Sequence, residues 1–221
     1  MTLNALRRPA ASGKPEWLVV FLHGYGATGA NLMSFADYWQ PSMPNVAFVA
    51  PDGPEPAKDG GFQWIGKHPA GDPRLYDDAV AVAPAVHEFI DAELTREGLD
   101  ASRLALTGFS QGTVMALHLG LRRVVAPAAV LGYAGGLAGA ERLGAEITSK
   151  PPVMLVQGEQ DRFAPVYTMM ASVKALTEAG VACQGVPIPG LGHSVDANAL
   201  IYGARFLLSA FAFRERHGPP Q

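Results

Sequence analysis

A serine flanked by glycines, an aspartate after an apolar run and a histidine in a glycine-rich turn are the residues of this chain whose types suit one piece of chemistry. Ser110 stands in Gly108-Phe109-Ser110-Gln111-Gly112, preceded by Leu104-Ala105-Leu106-Thr107 and followed by Thr113-Val114-Met115. This reads as a strand entering a Gly-x-Ser-x-Gly turn and leaving it as a helix, the pattern of a nucleophile elbow. Such a turn strains the serine backbone at the strand's carboxyl end and tolerates only small neighbours, which Gly108 and Gly112 supply. A serine hydroxyl is a weak nucleophile near neutral pH, so it needs a general base, and the base needs a group to fix its tautomer. Asp161 follows the apolar run Val153 to Gln157, and His193, in Pro189-Gly190-Leu191-Gly192-His193-Ser194, follows the next such run. Serine, acid, histidine is the chain order of elbow hydrolases, so Ser110, Asp161 and His193 are the expected nucleophile, orienting acid and base.

Other residues compete for these roles and fit them less well. Asp52 follows a strand that precedes the elbow, Asp196 falls in the first turn of the last helix, where it complements the dipole, and Glu159 is less centrally placed in its loop. His68, His87, His118 and His217 read as structural or solvated, His68 being the least secure because it lies in a long loop. Negative charge on a tetrahedral intermediate calls for two preorganised backbone N–H groups. One is expected from Gln111, directly after the serine, and the other from Tyr25 in Leu22-His23-Gly24-Tyr25-Gly26-Ala27-Thr28-Gly29. That glycine pattern is neither a Walker sequence nor a dinucleotide fingerprint.

Positioning these groups requires a sheet. Apolar runs at 17–22, 46–50, 103–107, 128–133, 153–157 and 183–188 are continuous rather than alternating, as in parallel strands buried on both faces. Helical stretches separate them at 30–39, 77–97, 111–122, 166–179 and 195–213. In the second, Val80, Ala83, Val86, Phe89 and Ile90 recur at helical spacing. Alternating strands and helices predict a doubly wound α/β sheet whose ligands bind outside the carboxyl ends of the strands. The stretch 51–74 holds five prolines and five glycines. It reads as a long substrate loop over the surface. The expected organisation is one domain over 1–221, with an N-terminal extension at 1–16 and a polar tail at 214–221.

Composition narrows the function classes. A hydrophobic fraction of 48% and a charged fraction of 17% fit one sizeable core, and a net charge of −3 gives no footprint for nucleic acid or anionic membrane. Cys183 is the only cysteine, so neither an intramolecular disulfide nor a cysteine-based zinc site is expected. No metal or other cofactor is expected. No apolar run reaches the ~20 residues of a membrane span, and the stretch 1–17 lacks a signal-peptide core, so the expected setting is cytoplasmic without stable membrane insertion.

Four blocks, Phe21-Leu22-His23-Gly24-Tyr25-Gly26, Gly108-Phe109-Ser110-Gln111-Gly112, Gly158-Glu159-Gln160-Asp161 and Gly192-His193-Ser194, resemble the signatures of the phospholipase/carboxylesterase family, which includes the acyl-protein thioesterases. The resemblance spans roughly residues 17–211. It implies a compact α/β-hydrolase with a mostly parallel central sheet, helices on both faces and no separate cap domain. It also implies Ser110, Asp161 and His193 as the triad, and the amides of Tyr25 and Gln111 as the oxyanion hole. The tryptophan of the family's substrate loop is similar to Trp64, which with Phe163 is expected to border an acyl pocket. Two departures stand out: Tyr25 replaces the leucine usual in acyl-protein thioesterases, and Gln63-Trp64-Ile65-Gly66 lacks the aromatic-acidic pair that commonly follows the tryptophan. The expected function is a serine hydrolase cleaving carboxylic esters, with thioesters and lysophospholipids also in view, through an acyl-enzyme. Its expected partner is a small-molecule ester or thioester, and a homodimer is left open. The alternatives are a peptidase, a dienelactone hydrolase, against which a serine at the elbow counts, and a non-catalytic hydrolase-fold receptor.

Overall fold

Continuous apolar runs form interior strands because both of their faces are covered. In the computed structural model, which describes residues 3–218, β2 (Trp17–Leu22) is buried at every residue. Leu18, Val20 and Leu22 enter one core, while Trp17, Val19 and Phe21 enter the other. Side chains alternate across a strand, so a run with no polar position needs a core on each side.

The chain order is β1 (Ala5–Arg8), β2, α1 (Gly29–Trp39), β3 (Val46–Pro51), β4 (Glu55–Pro56), β5 (Phe62–Gln63), α2 (Arg74–Glu97), β6 (Leu104–Phe109) and α3 (Gln111–Gly120). It continues through β7 (Ala129–Tyr133), α4 (Leu143–Glu146), β8 (Val153–Gly158), α5 (Val166–Glu178), β9 (Cys183–Ile188) and α6 (Ala197–His217). Seven strands form one sheet in the order β1-β3-β2-β6-β7-β8-β9, parallel except for β1. Helices α2, α3 and α5 pack on one face through residues such as Ile90, Met115 and Leu176. Helices α1 and α6 cover the other through Phe35, Trp39, Leu207 and Phe211. From β2 the chain steps to β3 on one side, and from β6 it steps to β7, β8 and β9 on the other. The β2–β6 pair is therefore the topological switch point, where doubly wound sheets open a crevice.

Three sequence expectations are corrected. The segment 1–16 is not a mere extension, because Ala5–Arg8 pairs antiparallel with Phe48–Pro51 and edges the sheet. The tail is not wholly polar surface: α6 runs to His217, and buried Arg214 donates to the carbonyls of Ala126 and Pro127. Strand β9 is not buried on both faces. It is an edge strand, and Gln184, Gly185 and Pro187 are exposed.

Candidate active site

The elbow is built by close approach. Ser110 has φ 53° and ψ −115°, a strained conformation for a residue with a side chain. It is held there by its N–H donating to the Tyr133 carbonyl at 2.8 Å and by Thr113 N–H donating to its own carbonyl at 2.9 Å. A Cβ on Gly112 would lie 1.8 Å from the Leu22 carbonyl oxygen, and one on Gly108 would lie 2.2 Å from the Gly112 carbonyl oxygen. Only glycine lets α3 start this close to β2 and β6.

Around Ser110 the loops after β8 and β9 converge. His193 Nε2 is 3.0 Å from Ser110 Oγ, and its Nδ1 is 2.7 Å from Asp161 Oδ2. The Asp161 side chain is fully buried, and its carboxylate accepts three further hydrogen bonds. Gln157 Nε2 donates to Oδ2 at 2.7 Å, while the N–H groups of Phe163 and Ala164 donate to Oδ1 at 2.8 and 2.9 Å. A buried carboxylate with every oxygen satisfied is a fixed acceptor, which is what orients an imidazole. The rings of Phe109 and Phe163 flank His193, with centroids 5.1 and 5.2 Å away. Gln157 went unnoticed in the sequence. Its signal was a polar residue closing an otherwise apolar run.

On the β2 side, Tyr25 and Gln111 both line the cleft at Ser110. Gln111 opens α3, where first-turn N–H groups have no partner within the helix and the dipole favours negative charge. The loop carrying Tyr25 is set by His23, which is fully buried. His23 Nε2 accepts the Gly53 N–H at 2.8 Å, so its Nδ1 carries the proton and donates to the Gly24 carbonyl at 2.7 Å. Burial holds the His23 pKa below its usual value, keeping this ring neutral.

Trp64 does not line the cleft at Ser110. It is 1% exposed, its indole N–H donates to the His23 carbonyl at 2.9 Å, and its ring lies 5.1 Å from that of His23. A large ring with one polar atom is buried most favourably where that atom finds a carbonyl, and here the carbonyl belongs to the loop beneath the cleft. The Gln111 side chain completes the tie by accepting the N–H groups of Trp64 and Ile65 and donating to the Ile65 carbonyl.

The cleft over Ser110 and His193 has a volume of about 870 Å³. Its apolar walls come from Leu75 of α2, Val114 of α3, Leu137 and Ala140 before α4, Phe163 before α5 and Tyr167 of α5. Phe163 does border it. From the long loop only Gly66–Gly71 reaches the cleft.

Of the competing residues, all but His68 lie outside the cleft. Asp196 caps α6 by accepting the Ala199 N–H, and Asp52 accepts the Gly29 N–H and an Asn4 amide hydrogen. His87 contacts Arg123, His118 is buried beneath α2, and His217 bonds the Phe213 carbonyl. His68 lies in the cleft wall, paired with Asp78 at 2.9 Å. Among the described residues, no group of three or more His, Cys, Asp or Glu is placed to hold a metal ion, and no helix is long and apolar enough to cross a membrane.

A mostly parallel sheet with an elbow serine at its switch point is the architecture of the α/β-hydrolases. Within that class, a family model described as Phospholipase/Carboxylesterase matches residues 9–209, and the chain belongs to that family. It is 26% identical over 199 residues to acyl-protein thioesterase 1 of Schizosaccharomyces pombe, covering 85% of this chain and 88% of that protein. It is 27% identical over 207 residues to carboxylesterase SOBER1 of Arabidopsis thaliana, covering 83% and 86%. Among solved structures, esterase PE8 is similar with a TM-score of 0.91 at 32% identity, over 95% of this chain and 100% of that one.

Proposed function

We propose that this protein is a serine esterase that hydrolyses carboxylic esters and acyl thioesters through an acyl-enzyme. Ser110 attacks the acyl carbonyl, and His193 takes its proton and returns it to the leaving alcohol or thiol. Asp161 holds the imidazole in the required tautomer. The N–H groups of Tyr25 and Gln111 receive the oxyanion, and the acyl chain lies against Leu75, Val114, Leu137 and Tyr167. A water then repeats the sequence and releases the acid.

The observation that carries the reading is the unbroken hydrogen-bonded line from buried Asp161 through His193 to Ser110, opening into an apolar cleft. Family membership supports the acyl chemistry, since fold alone does not fix a reaction. A cytoplasmic setting belongs to the same proposal, in keeping with a single, free cysteine. So does a homodimer, for which exposed Phe163, Tyr167 and Met170 offer apolar surface. A monomer mass by light scattering would remove the dimer.

The test is a chain-length series of p-nitrophenyl esters run beside an acyl-thioester series. Steady turnover in both, abolished in Ser110→Ala, is expected. Stoichiometric binding without turnover would make the protein a receptor instead.

A further inference from the structure

His68 lines the same cleft as His193, yet the triad gives it no part. Its side chain is only 15% exposed, and the loop around it is built to hold the ring. Asp78 Oδ2 accepts the Gly66 N–H and a hydrogen from His68 Nε2, each at 2.9 Å, and the Gly66 carbonyl accepts the Gln111 side-chain amide at 3.5 Å. A Cβ on Gly66 would stand 2.6 Å from His68 Nε2 and 3.0 Å from Asp78 Oδ2, so any side chain there would push the ring off its carboxylate. Asp78 follows Leu75 by three residues on α2, which places both on one face of the helix, and Leu75 walls the cleft. The leaving group must lie against His193, which protonates it, so the wall of Leu75 and His68 meets the acyl part of the substrate.

The pairing fixes the chemistry of the ring. A carboxylate only accepts, so Nε2 carries the hydrogen and Nδ1 of the neutral imidazole is a bare lone pair. Among the described residues no donor is bonded to Nδ1, and the atom is not sealed from solvent. The hydroxyls of the opposite wall are already engaged: Thr168 donates to the Pro165 carbonyl and Ser172 to the Thr168 carbonyl, each at 2.7 Å. A plain alkyl chain packed on His68 would cut its lone pair off from water and give nothing in return, whereas a hydroxyl would replace the water it displaces.

We propose that His68 Nδ1 accepts a hydrogen bond from a hydroxyl on the acyl part of the substrate, so that hydroxyacyl esters are favoured over plain ones. This rests on the esterase reading above and narrows its substrate class. His68 meets the substrate away from the reacting atoms, and Asp78 is a positioning residue that decides which ring nitrogen is the acceptor.

The experiment measures kcat/KM at about pH 8, above the ordinary titration range of imidazole, for p-nitrophenyl 2-, 3- and 6-hydroxyhexanoate and their methyl ethers. Each ether keeps the oxygen and loses the hydrogen that Nδ1 would accept. At one of the three positions the wild type is expected to favour the hydroxy ester over its ether by about tenfold, with KM carrying most of the difference. His68→Phe keeps a ring but removes the acceptor, and this ratio should collapse to near unity. Asp78→Asn offers Nε2 a donor and so moves the ring hydrogen to Nδ1, which an ether oxygen can accept. The ratio should fall there too, through a gain by the ether, whereas a merely structural role for Asp78 would lower both esters together. If His68→Phe does not give a cooperative melting curve, Asp78→Asn decides. A wild-type ratio near unity at all three positions, or a ratio that survives in the deciding variant, overturns the hydroxyl site and leaves the esterase reading intact. Absence of turnover on every ester in wild type overturns both.

Discussion

Gln111 Oε1 accepts the backbone N–H of Trp64 at 2.7 Å, tying the residue after the elbow serine to the loop that walls the cleft. The tryptophan returns the tie by donating from its indole to the His23 carbonyl. The loop carrying Tyr25 and the residue Gln111, the two arms of the proposed oxyanion site, are thus both tied to Trp64.

That bracing changes what Trp64→Ala should do. Removing a ring that is 1% exposed is expected to cost ~3–5 kcal/mol of stability. Because the ring lies outside the groove, activity on acetate and octanoate esters should fall in the same proportion. A loss confined to octanoate would return Trp64 to the acyl pocket.

Gln111→Glu leaves the backbone N–H in place but turns the donor facing the Ile65 carbonyl, now at 2.6 Å, into a carboxylate oxygen. Leaving that buried carbonyl unsatisfied is expected to cost roughly 1–3 kcal/mol, read as a lowered melting temperature. The loop should also become more open to limited proteolysis near Gly60 and Gly71. An unchanged melt and digestion pattern would show that the tie does not hold the loop.

Asp161→Asn is expected to lower kcat by about 10⁴-fold through the wrong imidazole tautomer. Asp196→Asn and Asp52→Asn alter a helix cap and a loop contact, so their effect should appear mainly in stability. A larger kcat loss at Asp196 than at Asp161 would mean that the orienting acid has been misassigned.

Burial, helped by the nearby Arg122 and His87, lowers the His118 pKa from 6.5 to about 4, and burial also lowers that of His87. The unfolded chain therefore binds protons that the folded protein refuses, and stability should fall as pH drops from about 6.5 towards about 4. His118→Gln is expected to flatten this decline in melting temperature measured across that window. An equally steep decline in the variant would place the acid sensitivity elsewhere.

Much of this was legible in the chain. Six interior and edge strands announced themselves because their apolar runs are local, and the elbow because its spacing is local too. Strand β1 was not legible, since four residues, none of them buried, gain their partner only from Phe48–Pro51, some forty positions on. The end of α6 was missed because Arg214 looks polar in sequence, while its guanidinium finds carbonyls at Ala126 and Pro127 across the fold. Trp64 was expected in the groove because a large apolar side chain in a loop suggests a ligand wall. Only three-dimensional placement reveals that its indole N–H points inward to His23. The role of the Gln111 side chain is not legible either, because its partners, the N–H groups of Trp64 and Ile65, lie 47 and 46 positions back along the chain.

The most direct test of the central claim is peptide mapping after reaction with an active-site phosphonate. A single adduct on Ser110 is expected, absent in Ser110→Ala, with kcat on a simple ester falling by on the order of 10³-fold or more in that variant. An adduct on Ser194 or Ser172 instead, or Ser110→Ala retaining wild-type turnover, would contradict the account.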